Sequence, residues 1–256
     1  MPPRSFWHAT ANAEEKAMLR WLFPITCSLC GKASELTLCE DCLAKLPRVP
    51  RPICLYCGAP VIGEQQDAYH CPACKGKPRP FDFARSALLT GNESMDLIHR
   101  LKYKGASHLA AALAPALCEQ WHNTPELAQY GNAAIVPVPI GKLHLRRRGY
   151  NQAEELARPL AKMLKLPLRE PLQRIDVKTD SQTRLSAAER LKNARLIYHP
   201  LPAYETGAKA LPSHVVLVDD VYTTGATVRA CAAVLKRLPG VQKVAVLTLL
   251  RVKNNF

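Results

Sequence analysis

Hydrophobic positions change period several times along the chain, and the changes mark its elements. Between residues 11 and 23, Ala17, Met18, Trp21 and Leu22 recur near helical spacing, and Pro24 stops the predicted helix. From Cys27 to about Pro80 large apolar side chains become sparse and turn residues frequent, so this stretch cannot build a core of its own. Residues 84–90 then read as a strand and Gly91-Asn92 as a turn, with Ser94 the expected N-cap of a helix that runs to Tyr103 and stops at Gly105. In the helix predicted over 107–121, Leu109, Leu113 and Leu117 form one apolar face. Residues 133–139, AAIVPVP, suit a strand buried on both faces; a basic loop follows, then a helix over 151–164 in which Pro159 is a candidate kink. Ser186 and Glu189 have capping-box spacing and start a further predicted helix, 215–218 is a strand, 227–238 a helix closed by Pro239-Gly240, and 244–250 a last strand.

Strands alternating with helices over roughly 170 residues predict an α/β fold with a mostly parallel sheet covered by helices on both faces. The expected organisation is an N-terminal helical segment at 1–24, a small unit at 25–80 that needs metal to fold, and the α/β domain at 81–256.

The metal follows from the cysteines. Of ten, eight fall in four CxxC pairs: Cys27 and Cys30, Cys39 and Cys42, Cys54 and Cys57, Cys71 and Cys74. Each pair is a tight turn that aims two thiolates at one point, and two turns complete a tetrahedral sulfur cage for zinc. Gly31 and Gly58 directly follow the first and third pairs, where a chain curling round a metal needs positive φ. That favours sequential pairing, two structural zinc ions in a double zinc ribbon, while interleaved pairing stays open. A lone dithiol would need a βαβ context, and iron–sulfur clusters use other spacings. His70 could replace a ligand, though a solvated histidine would sit beside Cys71 equally well. Cys118 and Cys231 lie alone in apolar helical surroundings and read as core.

In VVLVDDVYTTGAT, residues 215–227, the predicted strand ends on Asp219 and Asp220. In an open α/β sheet that end is where ligands bind. Adjacent carboxylates repel, and ribose hydroxyls bridged by Mg²⁺ would satisfy them. Thr223, Thr224, Gly225, Ala226 and Thr227 then open a helix, where backbone N–H groups and the helix dipole favour a phosphate. A plain strand, turn and helix could share the glycine and threonines but not the acidic pair.

Lys and Arg outnumber Asp and Glu by 35 to 21, a formal charge of +14. Two four-thiolate zinc sites would lower it to about +10. The surplus suits an anionic partner, and it is clustered: Arg146, Arg147 and Arg148 are consecutive, and His99, Arg100, Lys102 and Lys104 crowd another stretch. A solvated basic loop would show the same run of arginines.

The acidic pair and phosphate loop resemble the phosphoribosyl diphosphate signature of type I phosphoribosyltransferases. Further segments, LIHRLKYKG (97–105), VPVP (136–139), RRRGYNQAEELA (146–157) and Thr179, Gln182, Leu185 and Arg190, make essentially the whole chain resemble the ComF family. That resemblance implies a phosphoribosyltransferase-like fold behind a zinc ribbon, Asp219 to Thr227 on phosphoribosyl diphosphate with Mg²⁺, Arg146 to Arg148 on its pyrophosphate, and a lid over 175–190 from which Arg184 and Arg190 reach the diphosphate. It also implies a link to DNA uptake in natural competence, or to use of external DNA.

Two functions follow as expectations. One is transfer of ribose 5-phosphate to an acceptor with release of pyrophosphate, for which no catalytic residue is identifiable. The other is a DNA-processing adaptor that binds single-stranded DNA or a phosphorylated effector without transfer, with Trp7, Trp21, Tyr56 and Tyr103 as candidate stacking residues. DNA-uptake proteins would be partners in either case. No apolar run is long enough to span a bilayer, the N-terminus lacks a secretory pattern, and paired CxxC motifs suit a reducing compartment, so the cytoplasm is expected.

Overall fold

The computed structural model describes residues 25–61, 69–76, 79–103, 105–176 and 197–253. The helix expected at 11–23, Trp7, Trp21, Lys104, Thr179, Gln182, Leu185, the helix start at Ser186 and the candidate lid residues Arg184 and Arg190 lie outside them.

Strands β1 (Phe83–Leu89), β2 (Ala134–Pro137), β5 (His214–Tyr222) and β6 (Lys243–Arg251) form one sheet in the order β1-β6-β5-β2, and every pairing in it is parallel. Their residues alternate between two cores because successive side chains on a strand point to opposite faces. Val216, Val218, Ala245 and Leu247 face a layer built on helices α2 (Asn92–Tyr103), α3 (His108–His122) and α5 (Gln152–Leu164). Val215, Leu217, Val244 and Val246 face α7 (Ala226–Leu235). The parallel α/β fold expected from the alternation is thus present, and Cys231 is fully buried in the second core.

Several elements depart from the sequence reading. Helix α2 begins at Asn92, and Ser94 lies inside its first turn, where its hydroxyl accepts from the Gly91 N–H at 2.9 Å and donates to the Leu89 carbonyl at 3.1 Å. The expected basic loop is a short helix, α4 (Lys142–Arg148), entered from Gly141 and closed by Gly149 at φ 83°. Strand β5 runs four residues past Val218, because β6 continues beside it to Arg251. Helix α7 stops at Leu235, short of the predicted 238. Strands β3 (Leu172–Arg174) and β4 (Tyr198–Pro200), an antiparallel pair, were not predicted, being three residues each. The same holds for α1 (Glu40–Lys45), a 3₁₀ helix at Pro125–Tyr130 and α6 (Pro202–Glu205).

The cysteine-rich segment covers the outer edge of β1. Pro47 accepts the Leu89 N–H, Tyr56 accepts the Ala84 N–H, both at 2.7 Å, and Arg48 bridges Leu88 antiparallel. An edge strand that would otherwise offer free N–H and C=O groups is closed. Arg48 to Glu119 at 2.8 Å holds this cover to the helical layer, and Arg85 of β1, paired with Glu126, donates to the Leu55 carbonyl of the cover at 3.0 Å. The first ribbon, through Cys27, Leu38 and Leu46, joins one core, and the second, through Cys54, Tyr56 and Cys57, joins the other, so the two straddle the sheet edge.

Candidate functional site

Two metal centres are assembled by sequential cysteine pairs. The Sγ atoms of Cys27, Cys30, Cys39 and Cys42 lie within 4.8 Å of one another, as do those of Cys54, Cys57, Cys71 and Cys74. Pairing is therefore sequential, and His70 stands outside both tetrads. Gly31 and Gly58 adopt φ 71° and 70°, which lets their N–H groups turn back to the Cys27 and Cys54 carbonyls at 2.9 Å. The amides of Cys39 and Cys71 donate to the Cys27 and Cys54 sulfurs at 3.4 Å. In the second tetrad, hydrogen bonds from Cys57 and Cys74 draw the Cys54 thiol well below its usual value, while the same sharing pushes Cys74 up. Four thiols crowded this closely cannot all ionise without a cation among them, and a closed four-sulfur cage is the donor set of structural zinc. Both tetrads fit that ion.

The second site lies where β2 ends. Pairing of β2 with β5 stops at Pro137 opposite Val218, with one more bond from Val138 N to Val218 O at 2.9 Å, so Asp219 and Asp220 have β6 on one side and open space on the other. Alternation sends Asp220 toward α2 and Asp219 toward α7. Both still line one cavity of about 300 Å³, together with Lys102, Arg148, Asn151, Gln152, Arg174, Tyr198, Thr223 and Thr227.

Charge in this cavity is separated. Lys102 Nζ lies 2.7 Å from Asp220 Oδ2, off the axis of a hydrogen bond. Burial, and then the Asp220 charge, raise the Asp219 carboxyl well above the usual range. Three buried polar atoms of the lining have no hydrogen-bond partner among the described residues: Asp220 Oδ2, Arg148 Nε and Arg174 Nε. Buried polar groups are almost always paired; Asp220 Oδ2 has the Lys102 ammonium beside it, whereas the two guanidinium nitrogens have no hydrogen-bond partner among the described residues. Partial burial and the charges of Arg148, Arg174 and Arg147 also push His144 below its usual value.

Local structure fixes these groups. Asp176 Oδ2 accepts the Leu143 N–H at 3.0 Å and so caps α4, and a Cβ at Gly141 would stand 2.0 Å from Asp176 Oδ1. Arg148 donates to Gln152 at 2.8 Å, Asn151 caps α5 by accepting from Ala153 N at 3.2 Å, and its amide holds the Val138 carbonyl at 3.0 Å. Gly225, at φ 75°, turns the chain from β5 into α7.

A family model for the double zinc ribbon domain matches residues 18–77. The DNA utilization protein YhgH of Escherichia coli strain K12 is 30% identical over 219 residues, spanning 84% of this chain and 92% of that protein. The chain belongs to the ComF family. Competence protein F of Haemophilus influenzae is similar at 29% identity over 84% of this chain and 90% of its own length, and competence protein ComFC of Bacillus subtilis at 26% over 84% of each.

Within this ComF-family chain the sequence-predicted residues separate. Asp219, Asp220, Thr223, Thr227 and Arg148 meet at the cavity, and Thr224, Gly225 and Ala226 form the adjoining turn. Arg146 and Arg147 share α4 with Arg148 but are not among the cavity's lining residues. Tyr56 is buried and stacked on Phe81 at 4.5 Å, which removes it as a base platform, whereas Tyr103 is exposed with Arg147 and Arg148 over its ring. Sequence reasoning missed Arg174 and Tyr198, cross-strand partners in β3 and β4. Their only signal was a short apolar and polar alternation. Among the described residues no helix is long and apolar enough to cross a membrane.

Proposed function

We propose that the cavity at the end of β5 binds phosphoribosyl diphosphate, with Mg²⁺ as its counter-ion. The observation that carries this reading is the lining of one cavity, where two adjacent carboxylates, Asp219 and Asp220, meet two arginines, Arg148 and Arg174, whose Nε atoms have no hydrogen-bond partner among the described residues. A ligand with hydroxyl groups at one end and phosphates at the other matches that polarity. Asp219 and Asp220 would take the ribose hydroxyls, and their neighbouring carboxylate oxygens suit a hard cation that prefers oxygen ligands. The turn at 223–227 and the start of α7 would take the 5-phosphate, and Arg148 and Arg174 the diphosphate.

The relatives' names refer to DNA utilization and competence, and membership of their family supports the same setting for this chain: uptake of DNA or use of external DNA, within the cytoplasm. If transfer to an acceptor occurs, these residues supply positioning and neutralise the departing pyrophosphate.

A DNA-binding adaptor is the second reading. It is favoured by α4, which has no buried residue, carries Arg146 and Arg147 outside the cavity, and lies against exposed Tyr103.

Calorimetric titration with phosphoribosyl diphosphate and Mg²⁺ tests the first reading. Wild type should bind, and the double variant Asp219→Asn/Asp220→Asn should lose tenfold or more, about 1.4 kcal/mol. Equal binding by both proteins, or by neither, removes it. Pyrophosphate release with candidate bases then separates an enzyme from a binder.

A further inference from the structure

The second cysteine tetrad is buried against the α/β domain, with Cys54 at 0%, Cys57 at 3%, Cys71 at 4% and Cys74 at 1% exposure. A zinc ion held by four thiolates there carries about −2, a charge that burial penalises unless cations face it. Two buried arginines do. Arg251, from β6, donates to the Cys57 carbonyl at 2.5 Å and the Cys57 sulfur at 3.4 Å. Arg229, from the first turn of α7, donates to the Cys74 sulfur at 3.7 Å and lies 5.2 Å from the Tyr56 ring centroid. Among the described residues, no arginine donates to a thiolate of the first tetrad, where Cys30 is exposed.

Both arginines are also tied to the turn that opens α7, Arg251 through Tyr222 and Arg229 by its place in the helix. The Arg251 guanidinium lies 4.3 Å over the ring of Tyr222, whose hydroxyl is buried with no partner among the described residues. That ring lies directly beneath Gly225: a Cβ there would stand 2.3 Å from Tyr222 Oη. The Arg229 backbone N–H makes the first helical bond of α7, to the Gly225 carbonyl at 3.0 Å, so its side chain leaves from that same turn. Thiolate, guanidinium, tyrosine ring and Gly225 are thus in unbroken contact.

We propose that Tyr222, Arg229 and Arg251 are positioning residues that make the second metal centre and the 223–227 turn one energetic unit, so that metal in the tetrad and an anion on the turn tighten each other's binding. The anion half rests on reading that turn as a phosphate site. The thiolate half does not. With the tetrad metallated, the guanidiniums are anchored and Tyr222 is held under Gly225. Without it the four sulfurs are no longer held to one point, the hydrogen bonds that Arg229 and Arg251 make to them loosen, and the support under the turn loosens with them. By linkage the effect is reciprocal.

The test follows zinc release from the full-length, two-zinc protein into a chromogenic chelator. Release should be biphasic, fast from the first tetrad, where Cys30 is exposed, and slow from the buried second. Phosphoribosyl diphosphate with Mg²⁺ should slow only the slow phase, by about fivefold or more, the lower end of ordinary couplings. Arg251→Gln should accelerate that phase and abolish its response to ligand. Gly225→Ala, which drives a methyl into Tyr222, should accelerate it with no ligand present.

A wild type that binds the ligand by calorimetry yet shows no change in the slow phase overturns the proposal. So does equal slowing of both phases, or tighter ligand binding by Arg251→Gln, which would trace any coupling to charge alone. A wild type that binds no ligand removes the phosphate reading and with it the reciprocal half. The Gly225→Ala result then decides the remainder: an unchanged slow phase in a folded variant ends it.

Discussion

Lys102 and Asp220 come from opposite ends of the chain's fold, the last turn of α2 and the far end of β5, and meet at 2.7 Å on the wall of the candidate ligand cavity. The ammonium neutralises one of two adjacent carboxylates, so the acidic pair presents less negative charge to a ligand than its sequence suggests. Both side chains are mostly buried, so the pair is weakly screened. Lys102→Met should lower stability by about 1–3 kcal/mol, the range for stranding a buried polar group. It should also tighten Mg²⁺ binding to the ligand-free protein several-fold, since two uncompensated carboxylates attract a divalent cation more strongly. Thermal unfolding and calorimetric Mg²⁺ titration check the two effects. Unchanged Mg²⁺ affinity would mean that the ammonium is not the pair's counter-ion.

Asp219 gives a pH signature. Burial first, and the Asp220 charge second, raise its carboxyl well above the ordinary range. The folded state therefore keeps a proton that the unfolded chain has released, so the stability Asp219 contributes is complete below the unfolded value and is lost as pH rises through the folded one. Asp219→Asn, neutral throughout, should melt higher than wild type in the absence of ligand. The difference should widen as pH rises above the ordinary carboxylate range, at about 2–4 °C for each kcal/mol. A gap independent of pH, or a more stable wild type at the higher pH, would contradict the sign.

Residues whose identity carries their own chemistry were legible in the sequence. The CxxC pairs, the glycines behind Cys30 and Cys57, and the apolar runs at 133–139, 215–218 and 244–250 state their roles locally, and the structure assembles them as read. What a residue's neighbours decide was not legible. The lone stretch KLHLRRR has no buried residue and gives no helical period, yet it is a helix because Asp176, 33 positions beyond Leu143, caps it. Arg174 and Tyr198 enter the cavity only because two three-residue strands pair across 24 positions. The alternation that turns Asp219 and Asp220 to opposite faces follows from β6 extending β5, a long-range pairing. Buried Arg229 and Arg251 looked like ordinary members of the basic surplus until the thiolates beside them were in place.

The three consecutive arginines should behave differently. Arg148 lines the cavity and is held by Gln152, whereas Arg146 and Arg147 are not among its lining residues. Arg148→Ala should weaken phosphoribosyl diphosphate binding about tenfold, the effect of removing one charge-assisted hydrogen bond. Arg146→Ala/Arg147→Ala should leave it within about twofold. For single-stranded DNA the order should reverse: the double variant should bind more weakly and lower the salt dependence of log Kd by about 0.7 for each phosphate it no longer neutralises. Calorimetry for the first ligand and fluorescence anisotropy at several salt concentrations for the second check this. Equal effects of the variants on both ligands would merge the two surfaces into one.

The glycines of the two ribbons separate metal folding from docking. Gly31 and Gly58 share nearly the same backbone, φ 71° and 70°, so alanine at either costs about 1–2 kcal/mol in conformation. Around Gly31 an added Cβ would meet nothing within 4 Å, whereas at Gly58 it would stand 2.6 Å from the Ala84 carbonyl oxygen of β1. That oxygen belongs to the strand whose N–H at Ala84 is already bound to Tyr56, so the clash cannot be relieved without lifting the second ribbon off the sheet edge. Gly58→Ala should therefore cost about 1–3 kcal/mol more than Gly31→Ala, the usual penalty for overpacking. Thermal unfolding of the two variants at matched zinc content measures the difference. Equal losses would mean that the second ribbon is not clamped against β1 and that the edge strand is covered by Pro47 and Arg48 alone.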